Sequence, residues 1–195
     1  MKGMLLIGFL VLFSASAMAF DIFALGTSNT NCKGVDRAKI FTVRLEELLR
    51  ADGFDAHVIN GGVDGDKPVW MENRLKGSIN EKTRLVMFEP GPNDRNKSSN
   101  VEYSEKILSH LQEREMPTIF ISHNIIQNNE EAQETAKKYG AYYYGHWNSN
   151  VPTDRTHRQF DMGTAGGHMT AEGCQLWAKN IFPLVKRILI ERNIN

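Results

Sequence analysis

Apolar residues along this chain fall into two alternating patterns: short continuous runs, and longer stretches in which they recur every three or four positions. The runs "DIFAL" (21–25), "DAHVIN" (55–60), "TRLVMFEP" (83–90), "TIFIS" (118–122) and "AYYYGHW" (141–147) predict five strands. Between them, "RAKIFTVRLEELLRADG" places Ile40, Val43, Leu45, Leu48 and Leu49 at helical spacing, with Gly53 as its stop. "YSEKILSHLQERE" turns Ile107, Leu108 and Leu111 to one side, "EEAQETAKKYG" predicts a further helix, and a last helix runs from about Ala171 to Arg192. Strands alternating with helices predict a parallel sheet covered on both faces. Ligands of such sheets gather beyond the carboxyl ends of the strands, so the segments after each strand are the ones that bear on function.

The first residues follow a different pattern. Lys2 precedes the apolar run "MLLIGFLVLF", and "SASAMA" then spaces Ala17 and Ala19 as a signal-peptidase site requires. Residues 1–19 are expected to be a signal peptide and residues 20–195 one domain, in a secreted or periplasmic protein. The apolar run is short for a membrane span, so no stable membrane insertion is expected after cleavage. The chain has 195 residues, 41% hydrophobic and 24% charged, enough for one α/β domain with a sizeable core. A formal net charge of zero gives no argument for a nucleic-acid partner or an anionic surface. A monomer is expected.

The segments after the strands are rich in Gly, Ser, Asn and His: "GTSNTN", "NGGVDGD", "GPND", "HNIIQNN", "GHWNSN" and "GTAGGHMT". Together they hold what acyl transfer needs: a hydroxyl nucleophile, an imidazole base and neutral donors for a developing oxyanion. There is no Gly-x-Ser-x-Gly elbow, which disfavours the α/β-hydrolase fold.

Four of these blocks, in order, resemble those of the SGNH, or GDSL-type, hydrolases. "ALGTSNT" resembles the nucleophile block and puts the serine on Ser28; "INGGVDGD" puts a backbone donor on Gly65; "EPGPND" puts a side-chain donor on Asn93; "GGHMTAEG" puts the base on His168. The resemblance implies a three-layer α/β/α fold with a five-stranded parallel sheet in flavodoxin-like order, no cofactor, and cleavage of carboxylic esters. No metal site is expected, because His123, His146 and His168 come without the Cys or carboxylate spacing of a ligand set. Three positions depart from the family pattern. Thr27 replaces the usual Asp before the nucleophile, Asn29 the usual Leu after it, and Ala165 the usual Asp three residues before the base. A backbone carbonyl in 163–167, Asp161 or Asp154 remains to orient His168. The carbonyl is the preferred reading and makes the site a Ser-His dyad. With Ser28 and His168 in contact, Cys32 and Cys174 would leave the same point on neighbouring segments, which makes a disulfide plausible in an oxidising compartment.

Trp70, His146, Trp147 and Asn124 are expected to contact substrate: aromatic walls with amide donors suit a sugar. The expected function is removal of short acyl groups, acetyl foremost, from a carbohydrate. The alternatives are a lysophospholipase or thioesterase, and a non-catalytic carbohydrate-binding protein of the same fold.

Overall fold

A computed structural model describes residues 19–195. The expected signal peptide therefore lies outside the described residues except for Ala19. Five strands form one parallel sheet: β1 (Phe20–Gly26), β2 (Ala56–Gly62), β3 (Thr83–Phe88), β4 (Thr118–Ser122) and β5 (Tyr142–His146), in the order β2-β1-β3-β4-β5. This is the three-layer, flavodoxin-like arrangement expected. β1 runs beside both β2 and β3, with Leu25 level with Gly61 and Phe88, so its last residue opens at the middle of the sheet's carboxyl edge.

The alternation of side chains along each strand divides the core in two. Ile22, Ala24, Leu85, Met87, Ile119 and Ile121 face α2 (Phe41–Ala51) and α6 (Ala171–Glu191), where Phe41 and Trp177 pack with ring centroids 4.3 Å apart. Phe23, Leu25, Val86, Phe88 and Phe120 face the opposite layer of α3 (Pro68–Ser78), α4 (Lys97–Glu113) and α5 (Asn129–Lys138). A single helical turn, α1 (Ser28–Asn31), follows β1 directly.

The strands and long helices sit where the apolar pattern puts them, except that the helix expected from Arg37 starts at Phe41: Arg37–Lys39 is a 3₁₀ turn capped by the Asp36 side chain, and Ile40 is extended. α3 does not figure in that pattern: it buries only Pro68, Met71 and Leu75, while Trp70 stands exposed, so its stripe is thin. Its start is set by Pro68 in the first turn, where a missing N–H costs nothing. α4 begins earlier than its apolar face suggests, because the Asn96 side chain caps the Ser99 N–H at 3.2 Å. Among the described residues, no helix is long and apolar enough to cross a membrane.

Candidate active site

β1 ends at Gly26, and the chain turns at once into α1. Thr27 caps this turn and Ser28 is its first residue, half-buried, at the carboxyl edge of the central strand. The turn is held from below by Glu89, the residue after β3, which is 1% exposed. Glu89 accepts from the Thr27 N–H at 3.0 Å, the Thr27 hydroxyl at 2.8 Å, the Thr30 hydroxyl at 3.0 Å and the Asn29 amide at 3.2 Å. Burial pushes its carboxyl above the ordinary value, and the Thr27, Asn29 and Thr30 donors pull the other way. Thr27 and Asn29, two of the residues that depart from the GDSL-type pattern, both donate to this one carboxylate. An Asp at position 27 would set a second carboxylate against Glu89, and a Leu at 29 would remove one of its donors. Sequence reasoning passed over Glu89, although a carboxylate closing the buried run of β3 was a signal that donors must meet it.

The second block is held by Arg74 of α3. Its guanidinium grips the buried Asp66 carboxylate at 2.8 and 2.9 Å and donates to the Gly61 carbonyl at 2.8 Å. This fixes the turn Val63–Asp66, closed by the Asp66 N–H on the Val63 carbonyl at 3.1 Å, in which Gly65 takes φ +77°. That angle suits glycine at the third position of a type II turn. The Asn93 amide donates to the Asp66 carbonyl at 3.0 Å, which ties the third block to the second and leaves its other N–H free. Neither the Ser28 N–H nor the Gly65 N–H has a hydrogen-bond partner among the described residues.

His168 arrives from the far side. Met169 forms an antiparallel bridge with Arg158, and the Gln159 N–H donates to the His168 carbonyl at 2.9 Å. The chain between them makes a tight excursion, with positive φ at Phe160, Gly163, Gly166 and Gly167 and a 3₁₀ turn over Gly163–Ala165. This excursion folds Asp161 back onto the histidine: its carboxylate takes the ring Nδ1 at 2.5 Å and the His168 N–H at 2.9 Å. The expected dyad oriented by a backbone carbonyl is therefore corrected to a Ser-His-Asp chain. The acid sits seven residues before the base, not three, because the antiparallel bridge opposes the two ends of the loop. Ala165 lies at the tip of the excursion, and Asp154 bonds His157 at 2.8 Å instead. With a carboxylate on Nδ1 the proton belongs there, so Nε2 accepts the Ser28 hydroxyl at 2.9 Å. Burial works to raise the Asp161 carboxyl, but the His168 ring and backbone N–H outweigh it and hold it below its usual value.

Ser28, Asn93 and His168 open into one cavity of about 370 Å³, lined also by Asn29, Pro92, His123, Asn124, Ile125, Trp147, Asn148 and Met162. Gly65 stands in the adjoining turn rather than on the cavity wall. Of the expected substrate contacts, Asn124 and Trp147 line the cavity, and two do not. Trp70 is 52% exposed on α3 beneath the Lys67 ammonium. The His146 ring is held outside by a bond of its Nδ1 to the Ser122 hydroxyl at 2.8 Å, which in turn meets Tyr143 at 2.9 Å. Nor is Trp147 an open platform: His123 stacks on it with centroids 6.0 Å apart, and the Arg158 guanidinium lies 4.9 Å over its ring. No group of three or more His, Cys, Asp or Glu able to hold a metal occurs among the described residues. Cys32 and Cys174 form a disulfide with Cα atoms 6.4 Å apart, joining the nucleophile turn to α6, the helix that follows His168.

No protein-family model matches the chain. Over 97 residues it is 32% identical to Esterase TesA of Pseudomonas aeruginosa, a match that spans 48% of either chain, so about half the length of that relative. Among solved structures it is similar to AlinE4, an SGNH-hydrolase family esterase, at 27% identity over 65% of this chain and 76% of that one, with a TM-score of 0.55. The acetyl xylan esterase AlAXEase shares the fold at 15% identity, over 85% of this chain and all of that one, with a TM-score of 0.66.

Proposed function

We propose that the chain, similar to an SGNH-hydrolase family esterase and over about half its length to Esterase TesA, is an SGNH, or GDSL-type, hydrolase: an exported serine esterase that removes short acyl groups, acetyl foremost, from a carbohydrate. The observation that carries the reading is the line Asp161–His168–Ser28, with 2.5 and 2.9 Å contacts, ending in a cavity. Ser28 attacks the ester carbonyl while His168 Nε2 takes its proton, and the imidazolium that forms is stabilised by Asp161. The carbonyl oxygen becomes an oxyanion in reach of the Ser28 N–H and the free N–H of Asn93. The Gly65 N–H, one residue from the carbonyl that Asn93 holds, is the third donor. His168 then gives its proton to the leaving alcohol, and water repeats the sequence on the acyl-enzyme.

None of the residues lining the cavity carries a formal charge. Asn124 and Asn148 supply amides that match hydroxyls, whereas a phosphate-bearing substrate would find no cation there. This favours a neutral polyol ester over a lysophospholipid or a phosphorylated thioester. A second reading concerns the acyl group. Ile125 and Met162 stand 56% and 64% exposed on the same wall, and they suit a longer acyl chain than acetyl. The non-catalytic reading rested on the missing carboxylate, and the Asp161 contact removes its motive. Export rests on the N-terminal pattern and is compatible with the disulfide.

The test is a fluorophosphonate probe followed by an ester panel. Labelling is expected at Ser28 and abolished in Ser28→Ala, with turnover of acetylated oligosaccharide and of short aryl esters lost together. Absence of labelling, or labelling at another serine, would overturn the mechanism. A rate that climbs steadily with acyl length would replace acetyl by the longer chain.

A further inference from the structure

His123 is the first residue after β4 and is 8% exposed, on the cavity wall shared with Ser28 and Asn93. Its ring is fixed on two sides. Nδ1 accepts the Ile125 N–H at 3.2 Å, and one face stacks on Trp147 at an interplanar angle of 20°. An imidazole nitrogen that accepts a hydrogen bond carries no proton, so in the neutral ring the proton sits on Nε2. Nε2 has no hydrogen-bond partner among the described residues. Burial, helped by the neighbouring His146, pushes the imidazole down to about 4, which keeps it uncharged near neutral pH. The result is a rigid, neutral, single N–H donor on a cavity wall. The catalytic steps above do not use it, since proton transfer belongs to His168 and the oxyanion has its own donors.

A donor of this kind selects by what it would lose. A substrate without an acceptor leaves the N–H buried and unpaired, a cost of the order of 1–3 kcal/mol. Because the donor is uncharged and no ionised side chain lines the cavity, it gains nothing from an anion beyond an ordinary hydrogen bond.

We propose that His123 is a specificity-determining residue whose Nε2–H donates to a neutral hydroxyl or ether oxygen that the substrate carries outside its scissile ester group, as an O-acylated sugar does. The inference rests on the esterase reading above and narrows it. It requires an oxygenated group beside the ester, which a plain alkyl ester lacks.

The experiment compares cyclohexyl acetate with tetrahydropyran-3-yl acetate, two esters that differ by one ring oxygen, and reads acetate release from the full chain, His123→Phe and His123→Gln. Phe keeps a ring against Trp147 without the donor; Gln keeps a donor without the ring. The ratio of kcat/KM for the oxygenated over the carbocyclic ester is expected to be about tenfold in the parent. It should fall to near one in His123→Phe, whatever its absolute rate, and recover in part in His123→Gln. A parent that hydrolyses both esters equally, or a preference that survives in His123→Phe, overturns the role of His123 and leaves the esterase reading standing. No turnover of either ester, nor of the aryl esters, overturns the esterase reading and this inference with it.

Discussion

Ser28 and His168 meet at 2.9 Å, but the segments that deliver them are built in different ways. The nucleophile side rests on buried polar anchors. Glu89, 1% exposed, gathers four donors around the Thr27–Thr30 turn, and Asp66, 4% exposed, is gripped by Arg74 beside the strand ends. A buried carboxylate that accepts from four donors of one turn holds them in a single arrangement. The base side is an exposed excursion, 160–167, whose shape comes from residues with positive φ and which carries Asp161 at its start. Its anchors are the bridge at Arg158 and Met169 and the Asp161–His168 pair itself. Preorganisation of the proposed oxyanion donors is therefore a property of the core, whereas alignment of the proposed base, His168, depends on a surface loop and a single carboxylate.

The sharpest way to break this contrast is at that carboxylate. Asp161→Asn removes the acceptor that fixes the tautomer of His168, and kcat is expected to fall by about 10⁴ with KM little changed. Steady-state kinetics on a short aryl ester decides it. A loss of less than tenfold would mean that another group orients the ring and that the loop carries less than the geometry implies.

The disulfide ties the two sides together, since Cys32 follows the nucleophile turn and Cys174 the base. It closes a loop of sequence separation 142, for which the chain-entropy model gives about 5 kcal/mol. Cys32→Ser combined with Cys174→Ser is expected to lose most of that in denaturant unfolding while kcat stays within a few-fold. The anchors at Glu89, Arg74 and Asp161 remain in the folded state. A collapse of kcat in a variant that is still folded would show that the bridge, not these anchors, sets the distance from Ser28 to His168.

On the nucleophile side, Asn93→Ala deletes one proposed oxyanion donor and with it the bond to the Asp66 carbonyl. The expected loss is about 10²–10³ in kcat. A change mainly in KM would place Asn93 in substrate binding instead.

Much of this was legible before the structure. Short continuous apolar runs located the strands and a spacing of three or four the long helices, and placing chemistry after each strand put Ser28, Asn93 and His168 on the same edge of the sheet. What stayed hidden has a physical reason in each case. Asp161 reaches His168 only through an antiparallel bridge between Arg158 and Met169, a pairing with no periodic signature in so short a segment. Trp147 looks like an open wall in sequence, but His123 and Arg158, from other segments, already occupy its ring. Trp70 lies beyond β2 and His146 ends β5, yet the helix phase of α3 and the Ser122 hydroxyl turn them away. Arg74 and Glu89 read as ordinary charges until their partners, distant in sequence, are known.

The smallest effect separates the two sides at the level of the backbone. Gly91 and Gly163 both have positive φ, +62° and +70°, so alanine is strained at either position. At Gly163 a Cβ would meet nothing within 4 Å, and Gly163→Ala is expected to cost about 1 kcal/mol, the strain alone. At Gly91 the same Cβ would run into the Thr27 Cγ2 methyl and come within 3.1 Å of the Glu89 Oε1. Thr27 cannot swing aside without giving up its hydroxyl bond to Glu89 at 2.8 Å, and that bond is part of what positions Ser28. Gly91→Ala is therefore expected to cost about 3 kcal/mol and to lower kcat as well, because the displaced Thr27 carries the nucleophile with it. Unfolding midpoints of the two variants, measured side by side, check the difference. Equal costs would mean that the Thr27–Glu89 anchor yields as readily as the surface loop, and the distinction between a core-fixed nucleophile and a loop-borne base would fail.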